Sequence, residues 1–453
     1  MNPLEKLAGF VHRLRFEDVD KAADTQVTLC LADSLGCLVY GSRAEHVRKA
    51  LAAYRPMQVQ DGSRIFFENW KAPAPLASFL NGSMIGANAY DDLHHGATVH
   101  CGCIVIPAAL AALDGCGRTV SGKEFLTTLV AGYETMIRVA LAVMPEVRHR
   151  GYHPASVVAP FAAAAAASRI YGLTEEETLN AIGIAGDFGS GLMSAQLSSN
   201  IHGMQAPYAS MHGVNGALMA RQGLLGIREI FDDTYGSFLT TLSGKYDPAP
   251  IEAIGGGEFL CKGTGIKFYP TAGSVSSAVD GVRDLMEQNG IRPDEVEKIT
   301  VRVNKSVFLH CGFDYEPGPV SGAQMHIGYC IAALLVSGQL GARQFEPAFI
   351  KNPRVAAAMK KVEVIHDPSM DDLGPGMGYC ARITLVAAGK ILACEIVNPR
   401  GSAGNPLSEA GVREKFMAQC QGILPEDKAA RLFSAVMGIA DLADVRDLET
   451  MIS

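Results

Sequence analysis

Apolar positions recur at helical spacing from the start of this chain. Residues 4–15 predict a short amphipathic helix. Residues 18–40 predict a longer one, with Val27, Leu31, Leu35 and Leu38 on one face until Gly41-Ser42 ends it. A third helix is expected over 43–54, stopped at Pro56, and 64–67 reads as a brief strand or a loop. Pro73 and Pro75 open a helix that carries the apolar pattern through 76–89. Pro107 stands where an N1 proline would open the next helix, and Ser121 is the expected N-cap of one reaching Met144. Residues 155–171 are so rich in alanine that they read as a helix buried on all sides, ended by Gly172. Thr174 and Glu177 form a capping box for the following helix. Gly186, Gly189 and Gly191 then break the pattern, before a second small-residue helix over 206–223.

The period changes near Lys267. A helix over 274–288 precedes an alternating stretch, 298–303, that puts Ile299, Val301 and Val303 on one face of a strand. A helix over 322–336 and a strand over 362–365 follow. Residues 381–386 and 390–397 then form a hairpin across Ala387-Ala388-Gly389. After Asn398-Pro399-Arg400 the pattern returns to helix, over 408–419 and 426–436. The expected architecture is mainly α with an α+β part: an all-helical domain over 1–265, a smaller α+β lid over 266–397, and C-terminal helices over 398–453 rejoining the first domain.

Composition narrows the class. With 453 residues, 48% hydrophobic and 19% charged, the chain is a well-buried globular protein too long for one ordinary core. A net charge of −8 with no basic run argues against nucleic acid as a partner. The small-apolar run at 162–167 is too short to span a bilayer, and no signal peptide is read at the start, so a soluble cytoplasmic protein is expected. The 11 cysteines are scattered, many within apolar patterns, as reduced buried thiols are. Cys101 and Cys103 beside His100 make a weak metal signal, because CxxC spacing and a second ligand pair are missing.

The candidate chemistry centres on residues 81–107. Asp91, Asp92, His94, His95 and His100 fall within ten positions, in a connection between two apolar helices. Buried carboxylates and imidazoles must be paired or solvated. Such a cluster suits proton transfer, because imidazole titrates near neutral pH and a carboxylate tunes it. The same residues also suit a solvated, acid-capped helix end. His100 is the leading acid/base residue, with Asp91 or Asp92 as its orienting partner, and His94 and His95 lie toward the solvent side of the loop. Two more imidazoles stand at helix starts: His153, in Gly151-Tyr152-His153-Pro154, and His202, before the second small-residue helix. Lys267 in Lys267-Phe268-Tyr269-Pro270 precedes a Gly/Ser-rich helix start, as at an anion site. No dinucleotide or phosphate-loop glycine motif, no HExxH and no GxSxG elbow is present, which leaves acid/base chemistry by side chains.

Taken in order, these motifs resemble the MmgE/PrpD family. The likeness rests on Asn81-Gly82, Ala89-Tyr90-Asp91-Asp92, His100-Cys101-Gly102, Pro107 to Ala111, Gly151 to Pro154, Lys267 to Pro270 and Asn405 to Ser408, across nearly the whole chain. It implies a large helical domain, an α+β lid, a homodimer and an active site in the cleft between domains, with no metal and no organic cofactor. It further implies a small di- or tricarboxylate substrate, with proton abstraction beside a carboxylate. A dehydratase or decarboxylase leads; a dicarboxylate epimerase, of iminodisuccinate for example, and a non-catalytic homologue are the alternatives. By this resemblance His100, His153 and Lys267 are kept active-site positions, the first after an insertion near Val99. With Asp92 they form the expected catalytic set, and Asp91, His95, His202 and Tyr269 the substrate-binding set. The chain departs from the family at Ala89 (an Asp), Leu93 (a Thr), His202 (a Lys) and Ser276 (a His), which implies a differently charged pocket.

Overall fold

Two hydrophobic cores organise the chain. In the computed structural model, which describes residues 2–373 and 378–452, the first core joins side chains from Leu4 to Ile266 with others from Val412 to Ile452. The second gathers side chains from Tyr269 to Ala387. The chain therefore crosses between the cores twice, at 266–269 and again after residue 396. The two crossings lie side by side: Ile266 N–H donates to Gly401 O at 2.7 Å. Gly401 has φ +84°, and a Cβ there would lie 1.9 Å from Ile266 O, so only glycine lets the strands of chain meet.

The helix Pro154–Tyr171 runs through the middle of the first core, and Ala162 to Ala167 are fully buried. Methyl-sized side chains allow Gln205–Ala220 and Gly122–Val143 to pack closely on it. These small-residue stretches are used inside the fold. Gly122–Val143 is also long and apolar enough to cross a membrane, but 94% of its most apolar window is buried in the fold.

Two local readings need correction, and a third is narrowed. The helix after the histidine cluster runs Gly102–Leu113, with Pro107 in its interior. It starts early because the Asp92 carboxylate accepts from Gly102 N–H at 2.9 Å, supplying from the loop a cap that the sequence before Gly102 lacks. The expected helix over 322–336 is two, Val320–Met325 and Ile327–Ser337. His326 separates them by taking extended backbone and capping the second through Nδ1, which accepts from Tyr329 N–H at 2.9 Å. The stretch at 64–67 contributes only to a two-residue antiparallel pair, β1 (Ser63–Arg64) with β2 (Lys71–Ala72).

The second core lies around a four-stranded sheet of order β4-β3-β5-β6, where β3 is Val296–Val303, β4 Val362–His366, β5 Ala381–Ala387 and β6 Lys390–Ile396. β3 and β4 are parallel; the other pairs are antiparallel. Alternate residues of β5, Ala381, Ile383, Leu385 and Ala387, are buried beneath the helix Gly273–Asn289. The β5–β6 turn needs two positive φ values, Ala388 at +50° and Gly389 at +72°.

A buried ion pair fastens the C-terminal return to the histidine loop. Lys415, on the helix Glu409–Cys420, lies 2.6 Å from Asp33 on Lys21–Gly41, with both side chains at most 5% exposed. The same ammonium donates to Tyr90 O at 2.7 Å and stands over the Tyr90 ring. Burial raises the Asp33 carboxyl to about 6 despite the lysine. Lys415→Met is expected to destabilise the protein by about 3–5 kcal/mol at pH 8, because it strands a buried charge. The sign with pH follows from the raised Asp33 value: without the lysine this carboxyl is raised further and takes up a proton sooner, so the loss shrinks as pH falls toward about 6. Denaturant unfolding at pH 8 and pH 5 checks this, and equal losses at both would contradict it.

Candidate active site

The site begins with the loop 87–101 between Ala74–Gly86 and Gly102–Leu113. Leu93 and Gly265 exchange both backbone hydrogen bonds at 2.9 Å, and His94 N–H donates to Val99 O at 2.9 Å. The loop is thus tied to the first crossing between the cores. Ala89 and Thr98 take left-handed backbone, at φ +50° and +55°, which costs non-glycine residues about 1–3 kcal/mol each. Both line a cavity of about 90 Å³ between the two cores. That volume suits a small acid, well below the roughly 300–1,000 Å³ of sites for drug-sized ligands.

His100, Asp91, His153, His202 and Lys267 all line this cavity. His100 Nδ1 lies 2.7 Å from Asp92 O. A carbonyl only accepts, so Nδ1 carries the proton and Nε2 is left with its lone pair. Burial lowers the His100 pKa from 6.5, while the Asp91 carboxylate, with Oδ2 3.6 Å from Nδ1, opposes that. Asp91 Oδ2 is buried with no hydrogen-bond donor, poised to balance a positive charge on the ring.

His153 takes the opposite tautomer. It is the N-cap of Pro154–Tyr171, and its Nδ1 accepts from Ser156 N–H at 3.3 Å with Ser156 Oγ at 2.8 Å. The proton therefore sits on Nε2. Burial, reinforced by the neighbouring His202 ring, holds this imidazole neutral, well below its ordinary value. The His202 ring packs edge-on against His153 at 5.4 Å, its Nδ1 lies 3.4 Å from Gln205 Nε2, and burial pushes it down to about 4. The His202 turn comes this close because Gly86 and Gly203 touch backbone to backbone. A Cβ on either would lie 2.7 Å from the other's carbonyl oxygen.

Lys267 Nζ donates to Ala89 O at 2.7 Å and approaches Thr271 O at 3.4 Å. The left-handed turn at Ala89 aims that carbonyl. Burial lowers the Lys267 pKa from 10.5, opposed chiefly by Asp91.

Three expected site residues are not brought to the cavity. The Asp92 carboxylate is fully buried against Gly102 N–H and Tyr133 Oη, the latter at 2.6 Å, and burial raises it to about 7. It holds the loop and the helix start, so only its backbone carbonyl serves His100. Tyr269 donates to Asp280 Oδ1 at 2.7 Å inside the second core. His95 stacks edge-on against Tyr379 at 5.0 Å, its Nδ1 buried without a partner, and it is held near 4 by burial. His94 likewise faces inward, its Nδ1 accepting from Ala97 N–H at 3.1 Å, so neither histidine is on the solvent side of the loop. A tight turn over 94–99 folds both rings back onto the seam. Of the four departures from the family pattern, Ala89, Leu93 and His202 are on the cavity wall and Ser276 is not.

Arg148, His310 and Tyr379 line the cavity and were not singled out from sequence. Arg148 stands five residues before His153, near enough to notice, but nothing in its pattern separates it from the exposed Arg150. His310 and Tyr379 come from distant parts of the second unit, and only folding brings them here. Among the described residues no group of three or more His, Cys, Asp or Glu side chains is placed to hold a metal ion.

Comparison with known proteins gives the MmgE/PrpD N-terminal domain over residues 5–250 and the MmgE/PrpD C-terminal domain over 269–439. The chain is similar to the cis-aconitate decarboxylase-like protein oryM of Aspergillus oryzae, at 30% identity over 100% of this chain and 97% of that protein. It is 25% identical to cis-aconitate decarboxylase of Homo sapiens, over 99% of this chain and 94% of that one. It is also 25% identical to 2-methylcitrate dehydratase of Escherichia coli, over 79% and 76% respectively.

Proposed function

This chain belongs to the MmgE/PrpD family, and on that footing we propose that it is a lyase acting without metal or organic cofactor on a small di- or tricarboxylate. The observation that carries the reading is the pair of opposite tautomers in one small cavity. His100 offers a lone pair and His153 an N–H, with the Lys267 ammonium beside them. Loss of CO2 is preferred over loss of water, because the decarboxylases align over nearly the whole chain and the dehydratase over 79% of it.

In that reaction the C–CO2 bond breaks and its electron pair enters a conjugated system ending in a second carboxylate. Lys267 balances the charge that develops there, and neutral His153 donates a hydrogen bond to it. His100, charged from solvent and steadied by Asp91, delivers the proton to carbon and is left neutral. For a hydroxy acid the same groups allow water to leave instead: His100 takes the proton beside the carboxylate, and that proton departs with the hydroxyl. The changes at Ala89, Leu93 and His202 on the cavity wall support a second reading, an epimerase with His100 and Lys267 on opposite faces of one carbon.

Incubation with small carboxylates in D2O tests this. Release of CO2 or water with deuterium at the new C–H position supports the lyase. Exchange without net product selects the epimerase, and no exchange with any acid of the panel overturns both.

His100 should set one limb of the pH profile, with its midpoint below 6.5. For loss of CO2 activity falls above it, because the charged ring donates the proton, and for loss of water it falls below it, because the neutral ring takes one. Lys267 sets a further alkaline limb below 10.5. Asp91 raises both groups, so Asp91→Asn should move both limbs to lower pH. Limbs that stay in place would detach Asp91 from the proton path. The working form is further proposed to be a homodimer, since Phe188, Tyr208, Leu224 and Leu225 are exposed on one side of the first unit. Sedimentation at micromolar concentration decides this.

A further inference from the structure

Arg148 is the cavity cation with nothing to hold. It lines the inner cavity with His153 and Lys267, and also an adjoining outer cleft with Lys305 and His310. It therefore stands where the two spaces meet. Among the described residues its guanidinium makes no ion pair, hydrogen bond or ring contact. Among the described residues no Asp or Glu lines the outer cleft, and the inner cavity holds only Asp91, which faces His100. His153 and His310, two half-buried imidazoles of the cavity wall, are held well below their ordinary values chiefly by desolvation and partly by the charge of Arg148. They stay neutral and cannot answer an anion's charge. Lys267 is already engaged by Ala89 O, deeper in the cavity. A substrate with two carboxylates thus meets two cations at two depths.

We propose that Arg148 is a specificity residue that binds the second, non-reacting carboxylate at the cavity mouth, while the reacting end lies at Lys267 and His100. This rests on the carboxylate-lyase reading and deepens it by naming the side chain that holds the substrate's second carboxylate. A planar guanidinium takes a carboxylate through two parallel hydrogen bonds, which fixes the acid's orientation as well as its affinity. With His202 pushed down to about 4 by burial and so neutral near pH 7, Arg148 supplies the second positive charge of the wall.

The test measures binding of maleate and of its monomethyl ester by calorimetry, on the whole protein. The wild type should prefer the dianion. Arg148→Gln should weaken maleate roughly 10–100-fold and the monoester by less than about 3-fold, since one charge-assisted pair is lost. Arg148→Lys should keep part of the preference. His100→Gln should keep all of it, because it removes proton transfer and not the anchor. Melting of Arg148→Gln should match the wild type, as the guanidinium holds no part of the fold. An unchanged preference in Arg148→Gln overturns the proposal, as does a wild type that binds both probes equally; neither result touches the lyase reading if D2O exchange is seen. A wild type that binds neither probe and exchanges no proton overturns both.

Discussion

Replacing His100 with Gln is expected to lower turnover on the order of 10²–10⁴-fold, the usual contribution of a positioned proton carrier. The effect should fall on kcat with little change in substrate affinity. Glutamine can still donate from its amide toward Asp92 O, so the loop that holds Asp91 and Leu93 keeps its anchor. What is lost is the titrating nitrogen, so the limb of the pH profile that His100 sets should disappear with the activity. Unchanged melting and an unchanged circular dichroism spectrum show that the fold is intact. Near-normal turnover in this variant would move the proton transfer to Lys267 or His153. Asp92→Asn makes the contrast. Its carboxylate faces Tyr133 and Gly102, so stability should change more than the pH optimum.

The second large effect is expected at Lys267. Lys267→Met keeps the length of the buried stem and removes the ammonium, so kcat/KM should fall roughly 10²–10³-fold, as when one donor to a developing negative charge is lost. Arginine should not rescue it. Its planar fork does not fit a slot built for a point charge between Ala89 O and Thr271 O. The variant leaves Ala89 O, in a strained left-handed turn, without its donor, so a modest loss of stability should accompany the kinetic loss. Turnover of a dicarboxylate within ten-fold of wild type would remove Lys267 from the charge-balancing role.

Much of the architecture is legible in the sequence because it is set by local period and by caps. The Thr174–Glu177 capping box, the Ser121 cap and the β5–β6 hairpin stand where the pattern puts them. The early start of the helix at Gly102 is not legible, because its cap comes from Asp92, ten residues back and across a loop. Neither is the break at His326, where a side chain caps a helix inside a continuous apolar run.

For the site, the sequence by itself determined which residue types could do the chemistry: imidazoles at His100, His153 and His202, a lysine at the seam, and Asp91. Motif order along the chain was sufficient to mark these, and His153 and His202 sit directly beside Pro154 and Gly203. Tertiary structure alone decided which way each group faces. It turned Asp92, Tyr269 and His95 into supports, brought Arg148 and His310 to the wall, and gave His100 and His153 opposite tautomers through a backbone carbonyl and a serine. The physical reason is that burial and hydrogen bonding, which set protonation and direction, depend on neighbours up to hundreds of residues away.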